Sequence, residues 1–215
     1  MPIASVNASE LTFLFGIFWR DFCVLKYYRN SDKRFSHHPS PMPERNRHVT
    51  IFVYDPGMPV SVNLQTVRPR RLAAVRREVA RGAVASAWGP ALGKVWEFIR
   101  PQPDLWTHGH NIFLYHHPTQ PGAPILCDFG VEVTRSFEAV GEVYATETPG
   151  GEAAVVVHRG PYKRMNEAHD AIRKWMAANR RESAGLSWEI YGDPTPDPAD
   201  TETTIVYLLR QSSRV

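Results

Sequence analysis

The sequence has few cysteines and no apolar run long enough to cross a membrane. Only two of its 215 residues are cysteine, Cys23 and Cys127, and they lie in segments of different character. A disulfide framework is therefore not expected, which favours a cytoplasmic protein. The most apolar early stretch, residues 11–19, is nine residues long, whereas a membrane span needs roughly 20. No preceding basic residue or following cleavage site marks this stretch as a signal peptide.

The body of the chain also lacks net charge. Residues 1–47 hold seven Lys or Arg and four Asp or Glu, which accounts for the whole net charge of +3. A neutral body gives no electrostatic reason to expect direct nucleic-acid binding. A Gly-rich phosphate loop and a Gly-x-Ser-x-Gly elbow are missing as well, and no cofactor is predicted. With 43% apolar and 11% aromatic residues, the chain can still bury a core.

The first 47 residues are predicted to be a poorly ordered extension that precedes a domain at residues 48–215. Residues 30–47 consist of turn formers, charged residues and three closely spaced prolines, which is typical of a linker. Met42 directly precedes a strand-like run at residues 49–54, so a natural start at Met42 is one hypothesis. The other is that residues 11–28 form an amphipathic helix that docks on the body or on a partner.

An internal repeat is the most informative feature of the sequence. Residues 111–118 (NIFLYHHP) and 187–194 (SWEIYGDP) both read as a strand that ends in Tyr, two turn-type residues and Pro. Upstream, residues 73–75 lie over residues 153–155, an offset of 80. Downstream, the alternating strand at 127–133 lies over 203–209, an offset of 76. The pseudo-repeats extend over about residues 62–137 and 138–212.

Each repeat predicts the order strand, strand, helix, strand, strand. In the second repeat, Pro-Gly-Gly at 149–151 lies between strand-like runs at 140–146 and 153–158, which is a hairpin signal. Apolar residues recur at helical spacing between residues 163 and 179. Residues 72–80 have helix-forming residues, but the repeat indicates a strand. The sequence thus predicts an α+β fold with duplicated β-α-β-β units, a mostly antiparallel sheet and two helices on one side.

Strand periodicity divides the side chains of the final strands into two faces. Trp188, Leu114 and Phe129 are assigned to an apolar side, which the helices are expected to cover. The opposite face then presents two carboxylates among aromatic rings: Glu189, Asp128, Tyr191, Tyr115 and Phe113. Such a face suits a flat, apolar ligand that can carry positive charge. Glu189 could also act as a general acid or base, or it could be a solvated strand residue.

Several spaced motifs together resemble the GyrI-like family, also called the bacterial transcription activator (AraC-type) effector-binding domain. They are the run His158-Arg159-Gly160-Pro161-Tyr162, a helix ending near Trp175, and Trp188-Glu189-Ile190-Tyr191 followed by Asp193-Pro194. The resemblance covers about residues 62–209. It implies a SOUL/GyrI-like fold whose pocket, between the halves, accepts varied hydrophobic, often cationic compounds. It also implies that Glu189 is the central pocket acid, that Asp128 matches an acidic position, and that Tyr162 and Tyr191 match aromatic ones.

The resemblance leaves three classes of function open. Members of the family are sensors fused to a helix-turn-helix, free-standing binding or gyrase-protecting proteins, or hydrolases of strained-ring toxins. Residues 1–47 are too short and proline-broken for a helix-turn-helix, so a free-standing, drug-sequestering or effector-binding protein is favoured. We expect a monomer or weak dimer that contacts neither nucleic acid nor membrane. The alternatives are a hydrolase of electrophilic toxins that uses Glu189, and a protein-interaction module of the gyrase-inhibitor type.

Other signals have structural interpretations. The four histidines at 108, 110, 116 and 117 do not supply a closed set of metal ligands, so no metal is predicted. Cys127 alternates with apolar residues and is expected in the core rather than as a nucleophile. The basic residues 68–71, 76, 77 and 81 are expected on a solvated hairpin. Trp106 is predicted to lie at the rim of the pocket, and the other central tryptophans, Trp88, Trp96 and Trp175, in the helix core.

Overall fold

The computed structural model describes residues 60–80, 82–106 and 109–211. The predicted extension, Met42, the run at 49–54, Arg81 and His108 lie outside these residues. The described residues form eight strands and two α-helices: β1 (Asn63–Val67), β2 (Arg71–Val79), α1 (Val84–Ile99), β3 (Asn111–His116), β4 (Ile125–Glu132), β5 (Tyr144–Glu147), β6 (Gly151–Arg159), α2 (Met165–Ala178), β7 (Ser183–Tyr191) and β8 (Glu202–Leu209). Neither helix in this part of the chain has the length and hydropathy to cross a membrane.

The strands form one antiparallel sheet in the order β1-β6-β8-β7-β3-β4-β2-β5. β3 and β7 meet at its centre, where Phe113 pairs with Glu189. These two residues are also equivalent in the internal repeat, at an offset of 76, so a pseudo-twofold axis passes between them. The α+β fold and the strand assignment of β2 are confirmed.

The predicted hairpin between residues 140–146 and 153–158 is wrong. β5 pairs with β2 of the first repeat, and β1 of the first repeat pairs with β6 of the second. The two repeats therefore exchange their first strands. Pro149 and Gly150 lie in a crossing between distant strands, and a turn signal in the sequence does not determine which strands pair.

The exchange requires the sheet to curl. β1 and β2 are six places apart in the strand order, which is about 29 Å in a flat sheet. Only residues 68–70 connect them, and four residue steps span at most about 14 Å. Residues 148–150 make the equivalent short connection between β5 and β6. The two connections lie side by side, because the Arg70 amide donates to Thr148 Oγ1 at 3.0 Å and the Thr148 amide donates to the Arg70 carbonyl at 2.9 Å.

The curled sheet is apolar on both faces. Both helices pack on the outer face, where the apolar stripes of α1 and α2 cover separate halves of the sheet. The inner face has a core of its own, contributed by strands of both repeats: Leu72, Ala74, Ile112, Leu114, Ala153, Val155, Trp188 and Val206. Trp188 therefore lies on the inner face, opposite the helices that we expected to cover it.

The predicted alignment of β2 with β6 is off by one residue. Ala73 and Val75 face α1, whereas the residues that face α2 are Ala154 and Val156. The structural offset is therefore 81 rather than 80. A slip of one residue exchanges the two faces of a strand. Ala73 lies over an alanine at either offset, Ala153 at 80 and Ala154 at 81. Only the packing therefore distinguishes the two alignments.

The contact between the crossing connections provides a test of the curl. We expect Thr148→Val to lower the free energy of unfolding by about 1–3 kcal/mol, because the Arg70 amide loses its buried acceptor. Urea unfolding measures the change. Thr66→Val, on the exposed part of β1, is the matched control and should stay within about 0.5 kcal/mol of the parent. Equal stability of the two variants would contradict the role of this contact.

Candidate functional site

The candidate site is built around Glu189, on the central strand β7. The residue is only 5% exposed and its side chain lies on the outer face, because it pairs with Phe113 on one side and Ile205 on the other. Its position beside the pseudo-twofold axis places it between the areas that α1 and α2 cover. The equivalent residue of the first repeat is Phe113, so only one of the two residues beside the axis is a carboxylate.

Two tyrosines hold the carboxylate, the buried Tyr115 and the partly buried Tyr191. Tyr115 donates to Glu189 Oε2 at 2.7 Å, and Tyr191 donates to the same oxygen at 2.5 Å. The pKa of each tyrosine is raised well above its ordinary value, mainly by burial and secondly by the negative charge of Glu189. Both phenols therefore keep their protons and act as donors. Tyr115 and Tyr191 were both predicted to accompany Glu189, and the structure brings all three together.

His169 and Tyr207 complete the set of polar contacts and were not predicted. His169 Nε2 lies 3.0 Å from Glu189 Oε1, and His169 Nδ1 lies 3.1 Å from the Tyr207 hydroxyl. A carboxylate can only accept, so Nε2 carries a hydrogen and donates it to Glu189. Position 169 lies three residues before Ile172 and seven before Met176, at the edge of the apolar stripe of α2. That spacing is the signal in the sequence that could have identified it.

Aromatic rings surround this carboxylate. Phe113 lies 4.7 Å from Tyr191, measured between ring centroids, and Tyr162 lies 5.6 Å from Tyr191 in an edge-to-face arrangement. Trp88 of α1 lies 6.2 Å from Phe113. Phe113 and Tyr162 were predicted, and Tyr162 reaches the site because the short 3-10 turn at Tyr162–Arg164 leads directly into α2. The rings come from both repeats, so neither repeat alone would form the cluster.

Asp128 does not share this site. It pairs with Leu114 and Arg76, which places it on the inner face of the sheet, behind Glu189. The predicted pairing of the two carboxylates on one face is therefore wrong. The alternation within a strand gives only relative sides, and both faces here are apolar. From the sequence, Phe129 and Trp188 were assigned to the same face of the sheet because both belong to an apolar side of their strand. Strand pairing places them on opposite faces.

Four adjacent strands contribute to the cluster around Asp128. Arg76 Nε and Nη2 donate to the two oxygens at 2.7 and 2.8 Å, the Tyr144 hydroxyl donates at 2.6 Å, and His116 Nε2 lies 2.9 Å away. Burial by itself would raise the pKa of Asp128, but the hydrogen bonds from Arg76, Tyr144 and His116 outweigh it and lower the pKa. The cluster thus fixes the exchanged strand β5, which carries Tyr144, to β2, β3 and β4.

The two carboxylates differ in how their charge is balanced. Asp128 has a bidentate arginine. Within the described residues, Glu189 forms an ion pair with no Lys or Arg, and its only basic contact is His169. The two tyrosine hydroxyls and the His169 N–H hold the carboxylate in place. The result is a buried carboxylate edged by aromatic rings, a combination that favours contact with a cation.

The remaining predicted residues lie elsewhere. Trp106 packs edge-to-face on Trp96 at 5.0 Å and donates from Nε1 to the Gly109 carbonyl at 3.0 Å, within the core beneath α1. Cys127 is fully buried in the same core, and burial raises the pKa of its thiol to about 12. His116 and His117 face opposite sides, towards Asp128 and Ser187. Three of the basic side chains pair within the chain: Arg70 with Glu132, Arg76 with Asp128, and Arg77 with Glu142.

The Asp128 cluster gives a prediction with a defined pH dependence. We expect Asp128→Asn to cost about 1.5–3 kcal/mol of stability near neutral pH, since it removes charge-assisted hydrogen bonds. The pKa of Asp128 is lowered in the folded protein, so its stabilisation is present above the unfolded pKa of about 3.9 and is lost as the pH falls through the folded pKa. Urea unfolding of both proteins from pH 7 to pH 3 measures this.

The stability difference between wild type and Asp128→Asn should therefore shrink as the solution is acidified below about pH 4. The exposed pair Asp170–Arg173 on α2 supplies the control, and Asp170→Asn should leave the unfolding curve unchanged. A difference for Asp128→Asn that stays constant over the whole range would contradict the electrostatic account.

The sequence profile described as the GyrI-like small molecule binding domain matches residues 61–209. Among solved structures, the C-terminal domain of EcmrR is 20% identical with a TM-score of 0.61, over 72% of this chain and 100% of that domain. EcmrR in its complex with DNA is also 20% identical, with a TM-score of 0.61, over 74% of this chain and 60% of that one. These likenesses show the fold. No curated protein matches the chain.

Proposed function

The chain belongs to the GyrI-like small molecule binding domain family, and from that premise we propose that it binds a flat, hydrophobic, cationic molecule against Glu189. In this proposal the ligand lies on the outer face of the sheet, between α1 and α2, and the protein acts as an effector-binding or drug-sequestering protein in the cytoplasm. The site residues are Glu189, Tyr115, Tyr191, Phe113 and Tyr162, joined by His169.

The observation that carries the proposal is that Glu189 is buried and, among the described residues, forms no ion pair with an arginine or lysine. A buried carboxylate is expensive unless it is paired, and the other buried carboxylate, Asp128, has its arginine. Glu189 instead has hydroxyl and imidazole donors and aromatic neighbours. A ligand cation would supply the missing charge, and its ring system would stack on Tyr191, Phe113 or Tyr162, each contact contributing about 0.5–2 kcal/mol.

The test compares Glu189→Gln with wild type for binding of the cationic dye proflavine. Glutamine keeps an oxygen that accepts from Tyr115 and Tyr191 but removes the negative charge. We expect the affinity to fall by about tenfold to a hundredfold, which corresponds to the loss of one charge-assisted interaction of about 1.5–3 kcal/mol. Quenching of tryptophan fluorescence measures binding, since Trp88 lies next to Phe113.

Asp128→Asn is the matched control, because it also neutralises a buried carboxylate but on the inner face. It should lower stability while leaving the dye affinity within about twofold of wild type. A neutral ring system of similar size, anthracene-9-methanol, should bind wild type and Glu189→Gln with equal affinity. If Asp128→Asn reduced dye binding as much as Glu189→Gln, the site would not lie where we propose it.

A second function is favoured by the hydrogen bond between His169 and Glu189. The Nε2–H of His169 orients the carboxylate of Glu189, and a positioned carboxylate can act as a general base towards water. In this alternative, Glu189 removes a proton from a water molecule as that water attacks a carbon of a strained ring. The carbon–oxygen bond of the ring breaks, the released oxygen takes a proton from the Tyr191 hydroxyl, and Glu189 returns its proton to Tyr191. The protein would then hydrolyse toxins rather than sequester them.

Product analysis separates the two functions. Wild-type protein is incubated with styrene oxide, a strained-ring electrophile, and the diol is measured by mass spectrometry. The hydrolase alternative predicts multiple turnovers that fall by more than a hundredfold in Glu189→Gln and by a smaller factor in His169→Gln. Diol formation at the uncatalysed rate, together with intact dye binding, would leave sequestration as the function.

A further inference from the structure

Two buried polar atoms flank the candidate site without partners. Asn111 is 8% exposed and Thr203 is fully buried. In the described part of the chain, neither Asn111 Oδ1 nor Thr203 Oγ1 has a hydrogen-bond partner. Most buried polar atoms in folded proteins are hydrogen-bonded, so each exception calls for a specific explanation.

Strand pairing places both atoms beside Tyr191. Asn111 is directly opposite Tyr191 on β3, and Thr203 is directly opposite it on β8. All three side chains lie on the outer face, in the row of the sheet next to the row that holds Phe113 and Glu189. The two rows are about 7 Å apart, and the two flanking residues are separated by about 10 Å across Tyr191.

The row also lies close to the entrance of α2. Tyr162 packs on Tyr191, and His158, which pairs with Thr203, has its Nε2 3.3 Å from the Pro161 carbonyl. His158 therefore directs its ring nitrogen towards the turn rather than towards Thr203. This turn holds the ring of Tyr162 against Tyr191, the residue between Asn111 and Thr203, on the side that the proposed ligand would occupy.

The polar groups around Tyr191 can all accept hydrogen bonds. Glu189 contributes a carboxylate, Asn111 an amide oxygen, and Thr203 a hydroxyl that can also accept. We propose that Asn111 and Thr203 are specificity-determining residues, which accept hydrogen bonds from N–H groups at the edge of a flat cation. The site would then prefer aromatic cations with amino or amidino groups over fully N-alkylated ones. This inference rests on the proposed binding function.

The experiment uses two dyes that share a cationic tricyclic ring. Proflavine carries two amino groups, and in acridine orange those groups are dimethylated. We expect wild-type protein to bind proflavine at least about tenfold more tightly. Thr203→Val and Asn111→Leu should each reduce that preference by about twofold to tenfold, the effect of one neutral hydrogen bond, and should leave acridine orange affinity unchanged.

Thermal unfolding without dye gives an independent readout. If these polar atoms serve the ligand, replacing them by apolar groups of similar shape should maintain or raise the melting temperature. A lower melting temperature for both variants with an unchanged dye preference would mean that the polar groups are structural, satisfied for example by bound water, and would overturn the inference.

Two further outcomes separate this inference from the function on which it rests. If both dyes bind equally tightly and Glu189→Gln weakens both, the specificity assignment is wrong while the binding site stands. If neither dye binds, or if Glu189→Gln has no effect on either, the binding function and the specificity assignment are overturned together.

Discussion

Two three-residue connections determine the architecture of this domain. Each joins strands that are six places apart in the sheet order, so the sheet has to curl until its ends meet. The curl separates an inner core that contains Trp188 from an outer face on which both helices pack. The two repeats exchange their first strands across these connections, so the repeats depend on one another for a complete sheet. The position of every polar side chain relative to the helices follows from this arrangement.

The two buried carboxylates illustrate the consequence. Asp128 and Glu189 both lie near the middle of the sheet, yet on opposite faces. Asp128 is held by arginine, tyrosine and histidine from the neighbouring strands, so its charge is used to join β5 to the rest of the sheet. Glu189 has tyrosine and histidine donors and no arginine or lysine partner among the described residues. One carboxylate is thus suited to structure, and the other is suited to a cationic ligand.

The repeat in the sequence predicted the order of the elements and the strand assignment of β2, whose composition by itself favours a helix. It also identified the segments around Phe113 and Glu189 as equivalent, but it did not predict that they pair at the centre of the sheet. The faces were not predictable in the same way. The alternation along a strand shows which residues share a side of that strand. Which side faces a helix depends on the register between strands. Trp188 and Phe129 are both apolar, yet they lie on opposite faces of the sheet. The strand exchange was hidden as well, because Pro149 and Gly150 suit a crossing as well as a hairpin.

Periodicity and the motifs allowed four residues to be assigned to one site: Tyr115, Tyr191, Phe113 and Tyr162. His169 and Tyr207 could not be assigned in this way, because only the packing of α2 and β8 shows which of their side chains face Glu189. Asn111 and Thr203 carry no signal in the sequence, since their relevance lies in having no partner once buried. Predictions from the sequence therefore succeeded where neighbours along a strand decide the contact. They failed where neighbours across strands or layers decide it.

The most direct test of the account is a crystal structure of the protein with proflavine bound. We expect the ring system on the outer face, between α1 and α2, with its ring stacked on an aromatic side chain within about 6 Å and an amino group directed towards Asn111 or Thr203. The Glu189 carboxylate should lie next to the ligand. A dye bound inside the curl, beside Asp128 and Trp188, would contradict the claim that Glu189 is the carboxylate that receives the ligand.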